Sequence, residues 1–381
     1  MTDDELHGHL IGQQGSRHSL NTPALVIDRD ALDRNIAAMA RYAAAQGVHL
    51  RPHAKTHKSP DIARRQLAAG AIGICCAKIG EAEVLADNGV THGLHLTSPL
   101  VSSPAIARLV ALNQRTDGLM CVVDNPENVR ALSVAAHASG KSLNVIIDID
   151  PGMHRTGVNS AEAAARLFDA IEQAGSLHYA GVQCYCGAQQ HIADFGDRRR
   201  AMEDRAENIR SIIAALTLVG GKPAIVTGGG TGTHRIDPAL GLFTELQVGS
   251  YVFMDGEYLA CDLTGDDQPA PFETALMVDA RVVSANTPGM VTLDAGIKAF
   301  ATDAGNPAVV SGAPAGSTYR FMGDEHGALL LPDRGTLPLG HIVTLAAPHC
   351  DPTVNLYDTY HVVEGDTLRM LWPVAARGRS R

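Results

Sequence analysis

The chain has 381 residues, 45% of them hydrophobic, with 38 glycines and 19 prolines and no long polar tract, which suits a barrel of roughly 200 to 250 residues plus a second domain and excludes a largely disordered protein. Its 31 Lys+Arg against 41 Asp+Glu give a net charge of -10, which opposes binding to nucleic acid or an anionic membrane and makes a small-molecule substrate the natural expectation. No apolar run approaches the roughly 20 residues needed to cross a bilayer, and MTDDELHGHL lacks the basic start and apolar stretch of a signal peptide, so the protein is expected in the cytoplasm.

The first twenty residues and the closing RGRSR read as loose. Residues 22–27 read as a strand, followed by Asp30 as the N-cap of a helix that reaches Gln46 and stops at Gly47. Leu32, Ile36, Met39 and Ala43 give that helix one apolar stripe. Eight short apolar or β-rich runs then follow, at 48–53, 72–76, 94–97, 119–124, 143–149, 179–185, 224–227 and 246–253. Helical segments lie between them, such as 59–69, with Ser59 as N-cap and Pro60 at the first helical position. This alternation argues for an α/β fold of the TIM-like (β/α)8 class, with the active site at the C-terminal strand ends. An open doubly wound sheet is the alternative. After about Gly256 the pattern changes to strands without long helices, at 275–285, 290–294, 340–346, 360–363 and 367–372, which reads as a mainly β C-terminal domain.

RPHAKTHK (51–58) ends the first barrel run. There Lys55 would project where strand gives way to loop, and an amine crowded by Arg51 and Lys58 would have a lowered pKa and could form a Schiff base with a carbonyl. By itself the cluster also reads as a solvated basic loop. TGGGTG, Thr227 to Gly232, follows the seventh run, and its backbone N–H groups and threonine hydroxyls suit a phosphate. A reactive lysine and a phosphate cradle facing each other across one barrel mouth point to pyridoxal 5'-phosphate. In HCDPT, His349 and Asp351 face the same way if the chain is extended. An imidazole and a carboxylate with open positions suit Mn²⁺ or Mg²⁺. The seven cysteines form no CxxC pair, so reduced thiols are expected. Cys184 and Cys186 read as core packing, and Asp324-Glu325-His326 as a polar turn.

RPHAKTHK, GICCAK, HRTGV, TGGGTG, ELQVGSYVFMDGEY, LDAGIK, DEHG and HCDPTVNLYD, in this order over nearly the whole chain, resemble the D-threonine aldolase family. The resemblance implies an alanine-racemase-like pyridoxal phosphate enzyme, with the barrel at 28–256 and the β domain formed by 1–27 and 257–381. It implies a head-to-tail homodimer with shared active sites. It implies Lys55 as the Schiff-base lysine, Arg155 and Tyr185 beside the cofactor ring, and Thr227, Gly229, Gly230, Thr231, Gly249 and Ser250 around the phosphate. His349 and Asp351 match the family's two metal ligands, and His191 is the candidate base, with His349 orienting a water as the alternative. Gln247 stands where racemases of this fold carry an arginine. Ala77 and Cys186 depart from the family pattern. The activity implied is cleavage of D-β-hydroxy-α-amino acids to glycine and an aldehyde. A 3-hydroxyaspartate aldolase and a dehydratase are the nearest alternatives; in related dehydratases the metal motif resembles HxC, whereas here it is HxD. A non-enzymatic pyridoxal phosphate carrier of this barrel type would lack the long β domain.

Overall fold

A computed structural model describes residues 1–266 and 268–381. The N-terminal segment, expected to be loose, is folded. Helix α1 (Asp3–His7) is closed by a capping box between Thr2 and Glu5. His7, Leu10 and Leu20 are buried, and this apolar anchoring is what overrides the segment's polar composition. Strand β1 (Ala24–Asp28) follows, then α2 (Arg29–Gln46). Its N-cap is Asp28 rather than Asp30, because the Asp28 carboxylate accepts the Ala31 N–H at 3.0 Å. Gly47, at φ +68°, ends the helix in the left-handed conformation that glycine adopts without cost.

The barrel then runs β2 (His49–Leu50), α3 (Pro60–Ala68), β3 (Ile74–Cys76), α4 (Ile79–Asp87), β4 (Leu94–Leu96), α5 (Ser103–Gln114), β5 (Met120–Val123), α6 (Pro126–Ser139), β6 (Leu143–Asp148), α7 (Ala161–Glu172), β7 (Leu177–Cys184), α8 (Phe195–Leu218), β8 (Ile225–Gly228) and β9 (Glu245–Leu246). These eight strands form one sheet in the order β2-β9-β8-β7-β6-β5-β4-β3. The two edges meet just beyond β2, where the Ala54 N–H donates to the Cys75 carbonyl and the Cys75 N–H to the Pro52 carbonyl, each at 2.8 Å. Closure matters because it leaves no unpaired edge and directs all the strand ends into one mouth. The last run is shorter than its sequence suggested: backbone pairing continues only to Val248, whose carbonyl accepts the His53 N–H at 2.9 Å, and the chain then makes a 3₁₀ turn over Ser250–Val252.

Beyond the barrel come α9 (Gly256–Leu259), β10 (Leu276–Thr287), β11 (Met290–Leu293), β12 (Ala308–Ser311), β13 (Thr318–Phe321), β14 (Gly327–Leu330), β15 (Ile342–Ala346), α10 (Cys350–Val354), β16 (Thr359–Glu364) and β17 (Thr367–Pro373). With β1 they form a nine-stranded sheet, in which β1 lies between β10 and β16. Strands β12, β13 and β14 have no clear counterpart in the sequence pattern. The Asp324–His326 stretch is an exposed turn between β13 and β14, with Glu325 paired to Lys298 at 2.5 Å. No helix among the described residues is long and apolar enough to cross a membrane.

Candidate active site

A cavity of about 210 Å³ opens at the C-terminal ends of the barrel strands, and Lys55, Arg155, Tyr185, Thr231, Gln247 and Ser250 are among its walls. Lys55 stands on the turn after β2, which is held by the Lys58 N–H donating to the Ala54 carbonyl at 2.7 Å. Its ammonium contacts the Asp351 carboxylate. That charge raises the Lys55 pKa above the ordinary lysine range, against the opposing effect of burial. The lowered pKa expected from neighbouring cations is therefore corrected. Arg51 is bound bidentately by Glu245 at 2.8 and 2.9 Å, and Lys58 by Glu81 at 2.5 Å, so each of those charges is matched elsewhere. Burial also opposes ionisation of Asp351, yet the Lys55 charge and hydrogen bond hold its pKa below the carboxylate range.

Across the mouth, Gly230, Thr231, Gly249 and Ser250 face the cavity. Thr227 and Gly229 lie one layer deeper, both buried. The Thr231 hydroxyl accepts the Tyr251 N–H at 3.0 Å, which leaves its own hydrogen free to donate. His234 holds the Thr231 carbonyl through Nδ1 at 2.7 Å. The glycine run is required by close packing: a Cβ on Gly230 or Gly232 would collide with Gln190, and one on Gly249 would lie 2.7 Å from the Thr56 hydroxyl. This end of the cavity thus combines free hydroxyl donors with backbone that a ligand can approach closely, as an anionic group needs. Arg155 stacks over the Tyr185 ring at 5.6 Å. Its loop is tied down by Asp150, which accepts the Gly152 and Met153 N–H groups at 2.8 Å, and by Asp124, which accepts the Gly157 N–H at 3.1 Å. An amine, a donor-lined pocket and a flat aromatic wall fit the aldehyde, phosphate and ring of pyridoxal phosphate.

The second wall comes from the β domain. His349 and Asp351 are not in extended chain: His349 precedes α10 and Asp351 lies in its first turn. The helix is fixed there by Asp255, whose carboxylate accepts the Cys350 N–H at 2.9 Å and the Tyr258 N–H at 3.2 Å. His349 Nδ1 is 2.8 Å from Asp303 and 3.7 Å from Glu257. His191 Nε2 approaches the same Glu257 oxygen at 3.9 Å, and its ring lies 4.5 Å from that of Tyr258. Burial lowers the His349 pKa, but the Asp303 hydrogen bond and the Asp351 and Asp255 charges reverse the sign, and the net shift is upward. A carboxylate and an imidazole within an acidic surround fit a divalent cation.

Elsewhere, Asp3, His7 and His361 bring ligand atoms within 4.8 Å of one another. Their histidines are already used: His361 Nδ1 bonds the Leu25 carbonyl, its Nε2 meets His7 Nδ1 at 2.9 Å, and His7 Nε2 accepts the Asn21 N–H. Cys184 and Cys186 are buried thiols whose pKa values are pushed up by burial, to about 12 for Cys186, as core packing demands. Glu257 and Asp303 were not singled out from the sequence; neither stands in a spacing that signals a contact with His349.

The alanine racemase N-terminal domain model matches residues 27–257, and the putative serine dehydratase domain model matches 275–363. D-threonine aldolase of Arthrobacter sp. is 38% identical over 95% of this chain and 94% of its own. 3-Hydroxy-D-aspartate aldolase of Paracoccus denitrificans is 36% identical over 94% of this chain and 93% of its own. The crystal structure of D-threonine aldolase from Filomicrobium marinum superposes with a TM-score of 0.91 at 39% identity, covering 95% of this chain and 97% of that one. The chain belongs to the D-threonine aldolase family, aldehyde lyases built on the pyridoxal phosphate-dependent alanine racemase barrel.

Proposed function

We propose that the protein cleaves D-β-hydroxy-α-amino acids of the D-threonine type to glycine and an aldehyde, using pyridoxal phosphate and a divalent metal, Mn²⁺ or Mg²⁺, as a cytoplasmic homodimer. The observation that carries this reading is the contact of Lys55 with Asp351: the barrel's amine and the β domain's carboxylate meet at one point. When bound, the cofactor offers an aldehyde for amine exchange and a ring that takes up the electron pair of the breaking Cα–Cβ bond, while the cation makes a β-hydroxyl more acidic.

Lys55 is a nucleophile only when neutral, and its pairing with Asp351 keeps it charged. A cation held by Asp351 would release that restraint, so metal binding and activation of the amine would be linked through one carboxylate. His349 is the second ligand, with Asp303 holding its Nδ1 so that Nε2 is free. His191, beside Glu257 and Tyr258 and 40% exposed, takes the β-hydroxyl proton; a water oriented by His349 is the alternative acceptor. Thr231, Ser250, Gly230 and Gly249 receive the phosphate, with Thr227 and Gly229 supporting them from behind, and Arg155 and Tyr185 border the ring.

A 3-hydroxyaspartate aldolase, releasing glyoxylate, is the second reading, favoured by the Paracoccus relative. Against it, the second wall carries Glu257, Asp303 and Asp255 besides Asp351, and a further substrate carboxylate would meet that charge. The deciding experiment incubates the protein with D-threonine, D-phenylserine and 3-hydroxyaspartate, with and without Mn²⁺, and identifies products. Glycine plus acetaldehyde or benzaldehyde, dependent on metal, is expected. An oxoacid with ammonia would make the protein a dehydratase.

A further inference from the structure

The turn that carries Lys55 is held from outside the barrel. The Ala54 carbonyl accepts the His57 N–H at 3.2 Å and the Lys58 N–H at 2.7 Å, so Lys55 sits inside one closed loop of main chain whose far side is the His57–Lys58 peptide. Lys58 adopts φ +49°, a left-handed conformation that a non-glycine residue keeps only where its surroundings over-determine it. Those surroundings include the β domain. The buried Tyr360 hydroxyl, on β16, donates to the His57 carbonyl at 2.6 Å, and the Ala376 N–H, just past β17, donates to the Lys58 carbonyl at 3.0 Å. Burial pushes the Tyr360 pKa well above the ordinary phenol range, so the hydroxyl keeps its hydrogen. The β domain therefore meets this turn at three points: Asp351 at the Lys55 ammonium, and Tyr360 and Ala376 at the two carbonyls behind it.

An amine that must leave a ligand and return to the same atom in every cycle needs its Cα fixed, because a shifted Cα is made good only by off-rotamer torsions along the side chain. Neither Tyr360 nor Ala376 lines the cavity; both act on the turn through main-chain carbonyls alone. We infer that Tyr360 is a positioning residue for Lys55: its hydroxyl, with the Ala376 N–H beside it, fixes the turn from which the amine works, so that the β domain sets the backbone of the barrel's own lysine. The inference rests on the reading of Lys55 as the amine that joins the cofactor, and deepens it.

Tyr360→Phe removes only the hydroxyl and keeps the ring against Phe253 at 5.9 Å. Tyr319→Phe is its counterpart, because the buried Tyr319 hydroxyl donates to the Ala295 carbonyl at the same 2.6 Å, in the β domain but away from the Lys55 turn. Both variants should lose Tm alike. With saturating pyridoxal phosphate and Mn²⁺, Tyr360→Phe should lower kcat by roughly 10- to 100-fold, for whichever hydroxyamino acid the wild type cleaves, with KM nearly unchanged. It should slow by a similar factor the appearance of the visible band when apoenzyme is mixed with cofactor. Tyr319→Phe should leave both rates at the wild-type level. Equal rates in the two variants would reduce Tyr360 to a structural residue and overturn the inference. If Tyr360→Phe does not fold, Ala376→Pro, which removes the other donor, carries the test, and wild-type rates in that folded variant overturn it. A visible band that survives Lys55→Ala would instead overturn the reading of Lys55 itself, and this inference with it.

Discussion

The barrel wall of the mouth and the wall supplied by the β domain hold their polar groups by different means. On the barrel side the groups are buried and locked to one another: Gln183, Gln247, Thr227, His95 and Asp148 form one hydrogen-bonded chain, and Arg51 is held bidentately by Glu245. On the other side, Glu257 stands 3.7 Å from His349 and 3.9 Å from His191, beyond hydrogen-bond distance. Asp303 is more than half exposed. The barrel wall is therefore pre-organised before anything binds, as an organic cofactor with fixed donors and acceptors requires. The β-domain wall gathers negative charge around His349 and Asp351, the two proposed ligands, without closing on itself. It suits a cation that supplies the missing centre, and it gives the two walls separable failure modes.

The largest expected effect tests the junction between the walls. Lys55→Ala should abolish both the visible absorbance of bound cofactor and all cleavage; a retained band would remove Lys55 from its role. Asp351→Ala comes next. It should lower metal-dependent cleavage by at least about 100-fold while the cofactor band persists, since the carboxylate serves the cation and only restrains the lysine. Activity undiminished in chelator would count against the metal. Smaller again is Asp303→Asn, which keeps the shape but loses the charge opposite His349 Nδ1. Mn²⁺ affinity measured by calorimetry should weaken by roughly 10- to 100-fold, with cofactor affinity at saturating Mn²⁺ unchanged. If the two affinities fell together, the walls would not be independent and the comparison above would be wrong.

How much of this was legible in the sequence depended on range. Ser59 with Pro60, the stop at Gly47 and the βα alternation are local signals, and the chain follows them. The Asp30 N-cap was displaced by two residues because either aspartate offers the same oxygen, and only backbone geometry chooses. Strands β12 to β14 went unread although β11, equally short, was read; β12 is largely exposed and buries no apolar face, and β14 opens on Gly327 without alternation. The site splits the same way. Lys55 and the glycine run stood out as types in patterns, but the lysine's pKa was misjudged because its partner, Asp351, is 296 residues away, whereas the cations beside it in sequence are matched by Glu245 and Glu81. Asp303 and Gln183 are invisible without the fold, since their importance lies in what they orient 46 and 64 residues away.

The smallest effect probes how rigid the barrel wall is from behind. His234 supports the Thr231 carbonyl and is packed edge-on against Tyr42 at 5.3 Å and at a tilt against Phe272 at 5.2 Å. Burial pulls its pKa down from 6.5 to about 4. A histidine depressed in the folded state contributes stability that is complete above the unfolded value and is lost as pH falls through the folded one, so the window runs from about pH 6.5 down to about 4. The full contribution is about 3 kcal/mol. Asp237, raised by burial to about 7 from 3.8, works in the opposite direction: its stability is complete at low pH and is lost as pH rises through 7. The wild-type curve alone therefore mixes the two. His234→Asn retains a donor for Thr231, removes the titration and leaves Asp237 in place, so the difference between the two proteins isolates the histidine. The Tm advantage of the wild type at pH 7.5 should shrink or reverse by pH 4.5. A constant gap across that range would mean that His234 is not held neutral, and that this part of the barrel wall yields to protonation.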